Sequence, residues 1–161
     1  MTKQYRMPIV EYTPEQMQQR VARFDTIKYP PNRYHDSQLP GHVRKNYLVV
    51  GTGLIAEGST DPWSAIPVKE GFQMSLIKAE PGNGPMLHNH DTNETFMCLE
   101  GQWKVIWGRH AEHSVILNKY DVCSVPPYVP RRFECVQPAP GQTEGLLQSI
   151  QPGNEPAVEW I

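Results

Sequence analysis

The sequence predicts an all-β protein, an antiparallel barrel or sandwich preceded by a short helical arm. Three observations carry that expectation. The 16 prolines and 12 glycines among 161 residues interrupt the chain too often for a helical bundle. From Lys45 onward, short runs of β-branched, aromatic and aliphatic residues recur at even spacing with turn residues between them. The one helical pattern lies near the N-terminus, where Thr13-Pro14-Glu15-Gln16 reads as an N-cap with proline at the first helical position.

Met17, Val21 and Phe24 continue that pattern at helical spacing, which predicts a helix from Pro14 to about Phe24. Tyr29-Pro30-Pro31-Asn32 ends anything helical, and Tyr34 to Arg44 is polar and irregular. Residues 1–44 therefore read as an N-terminal arm and residues 45–161 as the barrel domain. Tyr47 to Val50 and Leu54 to Ala56 are short β-prone pieces, and Pro62 to Glu70 is a loop that holds Trp63. Phe72 to Ala79 alternates and leads into a proline and glycine turn at Glu80 to Pro85. Further strands are expected at Thr95–Leu99, Trp103–Trp107, Ser114–Leu117, Val122–Val125, Arg131–Val136 and Glu144–Ile150, each bounded by turn residues.

Composition narrows the function classes. A formal net charge of -2 gives no electrostatic case for nucleic acid or an anionic membrane. No apolar run approaches the roughly 20 residues of a membrane span, and Met1 to Arg6 precedes no apolar signal segment. Cys98, Cys123 and Cys135 are an odd number in β-like segments, so they read as reduced, packed thiols. A cytoplasmic location is the expectation.

The chemistry concentrates between Gly82 and Gly101. His88 and His90 are two apart, so on an extended strand they share a face. Asp91, Thr92 and Asn93 are turn formers that bring Glu94 back alongside them. Two imidazoles and a carboxylate converging from neighbouring strands suit one divalent first-row metal, Fe, Mn, Ni or Zn.

The spacing Gly82, His88, His90, Glu94, Gly101 resembles the first conserved motif of the cupins, with every anchor present. The resemblance implies a single cupin-type jelly-roll β-barrel. It extends over roughly residues 45 to 150, and its second motif departs from the family. Asp121 and the prolines around Val125-Pro126-Pro127 match, but Tyr120 and Tyr128 stand in place of glycines. The position of the fourth ligand, a histidine in the family, falls on Arg131.

Arginine only donates and stays protonated, so Arg131 is no metal ligand. Strand alternation puts Arg131, Phe133 and Cys135 on one face, which points inward if the register holds. Two arrangements follow. In one, the metal keeps His88, His90 and Glu94, and Arg131 acts catalytically by holding an anionic substrate. In the other, Arg131 pairs with Glu94 in a metal-free pocket. The first is favoured, because the second leaves both histidines without a role. Met86, Phe96, Tyr128 and Phe133 are the expected pocket lining. His35, His42, His110 and His113 read as solvated.

The function expected is that of a small-molecule metalloenzyme, dioxygenase-like, or else a lyase or isomerase of a small organic acid. The alternative is a non-catalytic, ligand-binding cupin. Pairing in the family through sheet edges and arms, together with the apolar segment Met7-Pro8-Ile9-Val10, predicts a homodimer.

Overall fold

A computed structural model describes residues 7–53 and 63–161. The expected strand at Leu54–Ala56 and the start of the Pro62–Glu70 loop lie outside the described residues. The helix α1 spans Pro14–Gln18. Ten strands follow among the described residues: β1 Lys45–Val50, β2 Phe72–Ala79, β3 His88–His90, β4 Glu94–Glu100, β5 Gln102–Trp107, β6 His113–Leu117, β7 Val122–Val125, β8 Arg131–Gln137, β9 Gly145–Pro152 and β10 Val158–Trp160. They form two five-stranded antiparallel sheets, ordered β1-β2-β9-β4-β7 and β10-β3-β8-β5-β6. This is the jelly-roll arrangement. None of the described helices is long and apolar enough to cross a membrane.

The inner faces of the sheets meet in one apolar cluster. Ile77, Ala79, Phe96, Cys98, Val125 and Leu147 come from the first sheet, and Trp103, Val105, Leu117, Phe133 and Cys135 from the second. Phe96 and Phe133 face each other across the gap with ring centroids 5.1 Å apart. The three cysteines are free thiols, and burial pushes the Cys98 thiol up to about 11. Gly101 turns β4 into β5 at φ +79, and a Cβ there would lie 2.3 Å from the Gln137 carbonyl oxygen. Glycine is therefore required at that anchor.

The helix is shorter than its spacing predicts. Thr13 and Gln16 form the reciprocal capping box, but no residue of α1 is buried. A single turn without tertiary contact does not propagate. Phe24 instead packs on Tyr47, centroids 5.2 Å apart, with the Lys78 ammonium 5.3 Å from its ring centre.

Residues 33–44, irregular as expected, are fastened to the sheets. Asp36 is fully buried; it accepts from Arg44 Nη2 at 2.9 Å and from the Met86 amide at 2.8 Å. His42 Nδ1 donates to the Gly84 carbonyl at 2.8 Å, and Gly84 itself runs so close to β8 that a Cβ would fall 1.7 Å from the Phe133 carbonyl oxygen. Met7, Ile9 and Val10 are exposed.

Candidate metal centre

β3 lies between β10 and β8, with His88 opposite Trp160 on one side and Arg131 on the other. His88 and His90 point inward, and both are buried. Glu94 opens β4, which belongs to the other sheet. The three-residue turn Asp91–Asn93 thus crosses the gap between the sheets rather than closing a hairpin. Glu94 reaches the histidines from across the jelly roll.

The ligating atoms of His88, His90 and Glu94 lie within 4.8 Å of one another. Glu94 Oε2 is 3.5 Å from His90 Nε2 and 3.9 Å from His88 Nε2. His88 Nδ1 is 2.8 Å from the Met86 carbonyl oxygen, and His90 Nδ1 is 2.6 Å from that of Ala157. A carbonyl only accepts, so each Nδ1 carries a proton, and in the neutral tautomer so fixed the lone pair is on Nε2, facing Glu94. Glu94 Oε1 accepts from Ser149 Oγ at 2.8 Å, whereas the buried Oε2 has no hydrogen-bond partner. Three acceptors therefore face one point with no donor among them.

Protonation states fit the same picture. Burial pushes the His90 imidazole down to about 4, although Glu94 pulls the other way. Burial alone would raise the Glu94 carboxyl, but the positive charge available on His90, His88 and Arg131 holds it at about 2. Near neutral pH the pair is a neutral imidazole and a carboxylate, the forms that bind a metal. The donor set and the orphaned Oε2 both fit one divalent ion.

No protein-family model matches the sequence, and no curated protein matches it. Solved structures do. The DMSP lyase DddQ from Ruegeria pomeroyi superposes with a TM-score of 0.56 at 16% sequence identity, over 84% of this chain and 61% of the lyase. A variant of salicylate 1,2-dioxygenase from Pseudoaminobacter salicylatoxidans superposes with a TM-score of 0.51 at 16% identity, over 71% of this chain and 27% of the enzyme. Both belong to the cupin superfamily. This chain has the cupin fold. It spans less than two thirds of the lyase and about a quarter of the dioxygenase.

The cupin motifs now have physical positions. Tyr120 and Tyr128, which replace the family's glycines, take φ +71 and +63. That is the left-handed region where glycine is unstrained and a side chain is not. Arg131 is fully buried opposite His88. Its Nη2 donates to the Pro126 carbonyl at 2.9 Å, and its Nε stands 4.0 Å from Glu94 Oε2, beyond hydrogen-bonding distance. Burial lowers the Arg131 pKa and Glu94 opposes the change, so it remains a cation.

A cavity of about 50 Å³ opens beside His88, His90 and Glu94. Of the four residues expected to line it, only Phe133 does. Phe96 is sealed in the apolar cluster one layer deeper. Met86 is spent on backbone contacts to Asp36 and His88. Tyr128 is 71% exposed, with its amide donating to the His90 carbonyl at 2.9 Å. Arg131 does not line the cavity either; its guanidinium flanks Glu94 Oε2 and is held by the Pro126 carbonyl, so the expected direct hold on a substrate is not its geometry.

The cavity is also lined by residues that no motif spacing marks: Arg33, Tyr34 and Arg44 from the N-terminal segment, Ser149 and Gln151 from β9, and Val158 and Trp160 from β10. For Ser149 and Gln151 the signal was available. They share the face of Leu147 by alternation, and a polar pair continuing an apolar row inward marks a site.

Proposed function

We propose that the chain is a small-molecule metalloenzyme of cupin type. One divalent transition metal would be held by His88 Nε2, His90 Nε2 and Glu94 Oε2, and a small anionic substrate would enter the adjoining cavity. The observation that carries this reading is the convergence of three buried acceptors on one point, two of them fixed in tautomer by backbone carbonyls. A metal on two histidines and one carboxylate supplies Lewis acidity and open positions for a substrate or dioxygen.

The protein's own part is to aim the donors and set the charge. Ser149 orients the Glu94 carboxylate. Arg131 adds a fixed positive charge beside it, so a divalent ion, Glu94 and Arg131 together carry an excess of two positive charges, before Arg33 in the cavity lining is counted, that an anion would offset. A dioxygenase-like reaction is the preferred form, with lyase or isomerase chemistry on a small organic acid next. The similarity to a dioxygenase and a lyase supports that range.

Elemental analysis of protein purified without added metal tests the proposal. Close to one equivalent of Fe, Mn, Ni or Zn per chain is expected, bound at about 2.0–2.2 Å. His88→Ala with His90→Ala should remove it from a chain that still folds. Full occupancy in that double variant would overturn the metal site. A wild-type chain that binds ligand without metal would point instead to a metal-free binding cupin.

A further inference from the structure

We propose that Arg33, on the segment preceding the first strand, is the anchor for a small monocarboxylate in the cavity beside the metal ligands. The inference rests on that cavity being the substrate site. Arg33 is 4% exposed and lines the cavity together with His88, His90 and Glu94. Among the described residues, its Nε and Nη2 have no hydrogen-bond partner. These two nitrogens share one edge of the guanidinium, and their N–H bonds run parallel. That edge matches the two oxygens of a carboxylate in a bidentate pair.

The other basic lining residue is already engaged. Arg44 Nη2 donates to Asp36 at 2.9 Å, and its Nη1 donates to the His42 carbonyl at 2.9 Å. Among the described residues, Arg33 has no carboxylate within ion-pair distance. A buried cation without a counter-charge is costly, and an entering anion removes that cost. The rest of the lining offers unpartnered groups of both kinds: Glu94 Oε2 at the metal end and Asn46 Oδ1 accept, while two others donate. Gln151 Nε2, from the first sheet, and Trp160 Nε1, from the second, are further buried donors without partners among the described residues, and both residues line the cavity. The cavity volume of about 50 Å³ restricts the occupant to a few heavy atoms.

Arg33 is also held in place before any ligand arrives. Its neighbour Tyr34 is buried, with the Arg44 guanidinium 5.5 Å from its ring centre and Trp160 edge-on at 6.2 Å. Asp36 braces the segment internally through Arg44 and fastens it, through the Met86 amide, to the chain two residues before His88. The substrate end and the metal end of the cavity are thereby tied to one another.

The test uses propionate as probe and propionamide as its uncharged counterpart. Binding to the full chain is followed by the Arg33 Nε–H nitrogen resonance and by titration calorimetry, with metal content measured on the same samples. Propionate should move the Arg33 resonance and propionamide should not. Arg33→Met should weaken propionate binding by about tenfold or more, the size of a lost charge-assisted pair, with metal content unchanged. Arg33→Lys should recover only part of it. Equal binding of propionate and propionamide, undiminished binding by Arg33→Met, or tighter binding of inorganic phosphate would overturn the carboxylate anchor. The resonance shift needs no variant, so a misfolded Arg33→Met leaves the test intact. A metal-free chain that binds propionate through Arg33 would sink the metal site and spare this inference. A metal-loaded chain whose propionate ignores Arg33 would do the reverse.

Discussion

Two ends of the same strands are buried alike and chemically opposite. Along β4 the inward row runs Glu94, Phe96, Cys98; along β8, Arg131, Phe133, Cys135; along β9, Gln151, Ser149, Leu147. β2 repeats the gradient from Gln73 to Ile77 and Ala79. Phe96 and Arg131 are both 0% exposed. Burial therefore does not distinguish the ends; side-chain chemistry does. The apolar end stabilises the fold. The polar end leaves Glu94 Oε2, Arg33 Nε and Nη2 and Gln151 Nε2 unpartnered, each at a cost of about 1–3 kcal/mol. Burial disfavours the charged form at both ends, raising the Cys98 thiol and depressing the His90 imidazole.

Breaking the apolar end should have the largest effect. Phe96→Ala is expected to cost about 3–5 kcal/mol in urea denaturation, because the cluster cannot collapse around the lost ring. Metal per folded chain should stay the same, which separates the two ends experimentally. An unchanged denaturation midpoint would show that Phe96 does not anchor the core.

Arg131→Met acts on the polar end alone. It removes a positive charge from beside the candidate ion and leaves Ser149 as the one contact on Glu94. Metal affinity, read by competition with a chelator, should rise by roughly tenfold or more, the scale of a like-charge term at an effective dielectric of about 20. Equal or weaker affinity would mean that the Arg131 charge does not reach the site.

The most gradual of the expected effects is a pH slope in protein stripped of metal. His90 is depressed from 6.5 to about 4, so between those values the unfolded chain binds a proton that the folded chain does not. Stability is then complete above about pH 6.5 and is lost as pH falls toward 4. Glu94, depressed from 4.5 to about 2, continues the loss in the same direction. Urea midpoints measured from pH 7 to 4 should decline, and His90→Gln should flatten the decline. A level profile in the wild-type chain would contradict a buried neutral His90.

Where the sequence spoke clearly, the information was local. His88, His90 and Glu94 sit within seven residues, and a period of two plus a turn brings them together. The alternation at Arg131, Phe133 and Cys135 gave the right face. It gave no depth, so Arg131's place beside Glu94 was invisible. Arg33 was illegible for a different reason. Its position depends on Asp36 reaching Met86 and His42 reaching Gly84 across some 40 to 50 residues, with no periodicity to announce either contact. The helix failed in the other direction, since the spacing of Met17, Val21 and Phe24 had no surface to bury against.

β10 comes last among the strands, yet it aims the first ligands. It pairs with β3 along its whole length, and Ala157, just before it, takes the Nδ1 proton of His90 from 67 residues away. During synthesis both histidines leave the ribosome well before the segment that orients them. Until that segment docks, the His90 imidazole rotates freely and either of its nitrogens can carry the proton, whereas His88 has its partner, the Met86 carbonyl, two residues away. The ordering cost of so distant a contact is met only when the second sheet is complete. The aim of the ligands is thus a property of the finished chain, although their identity is written in one short stretch of it.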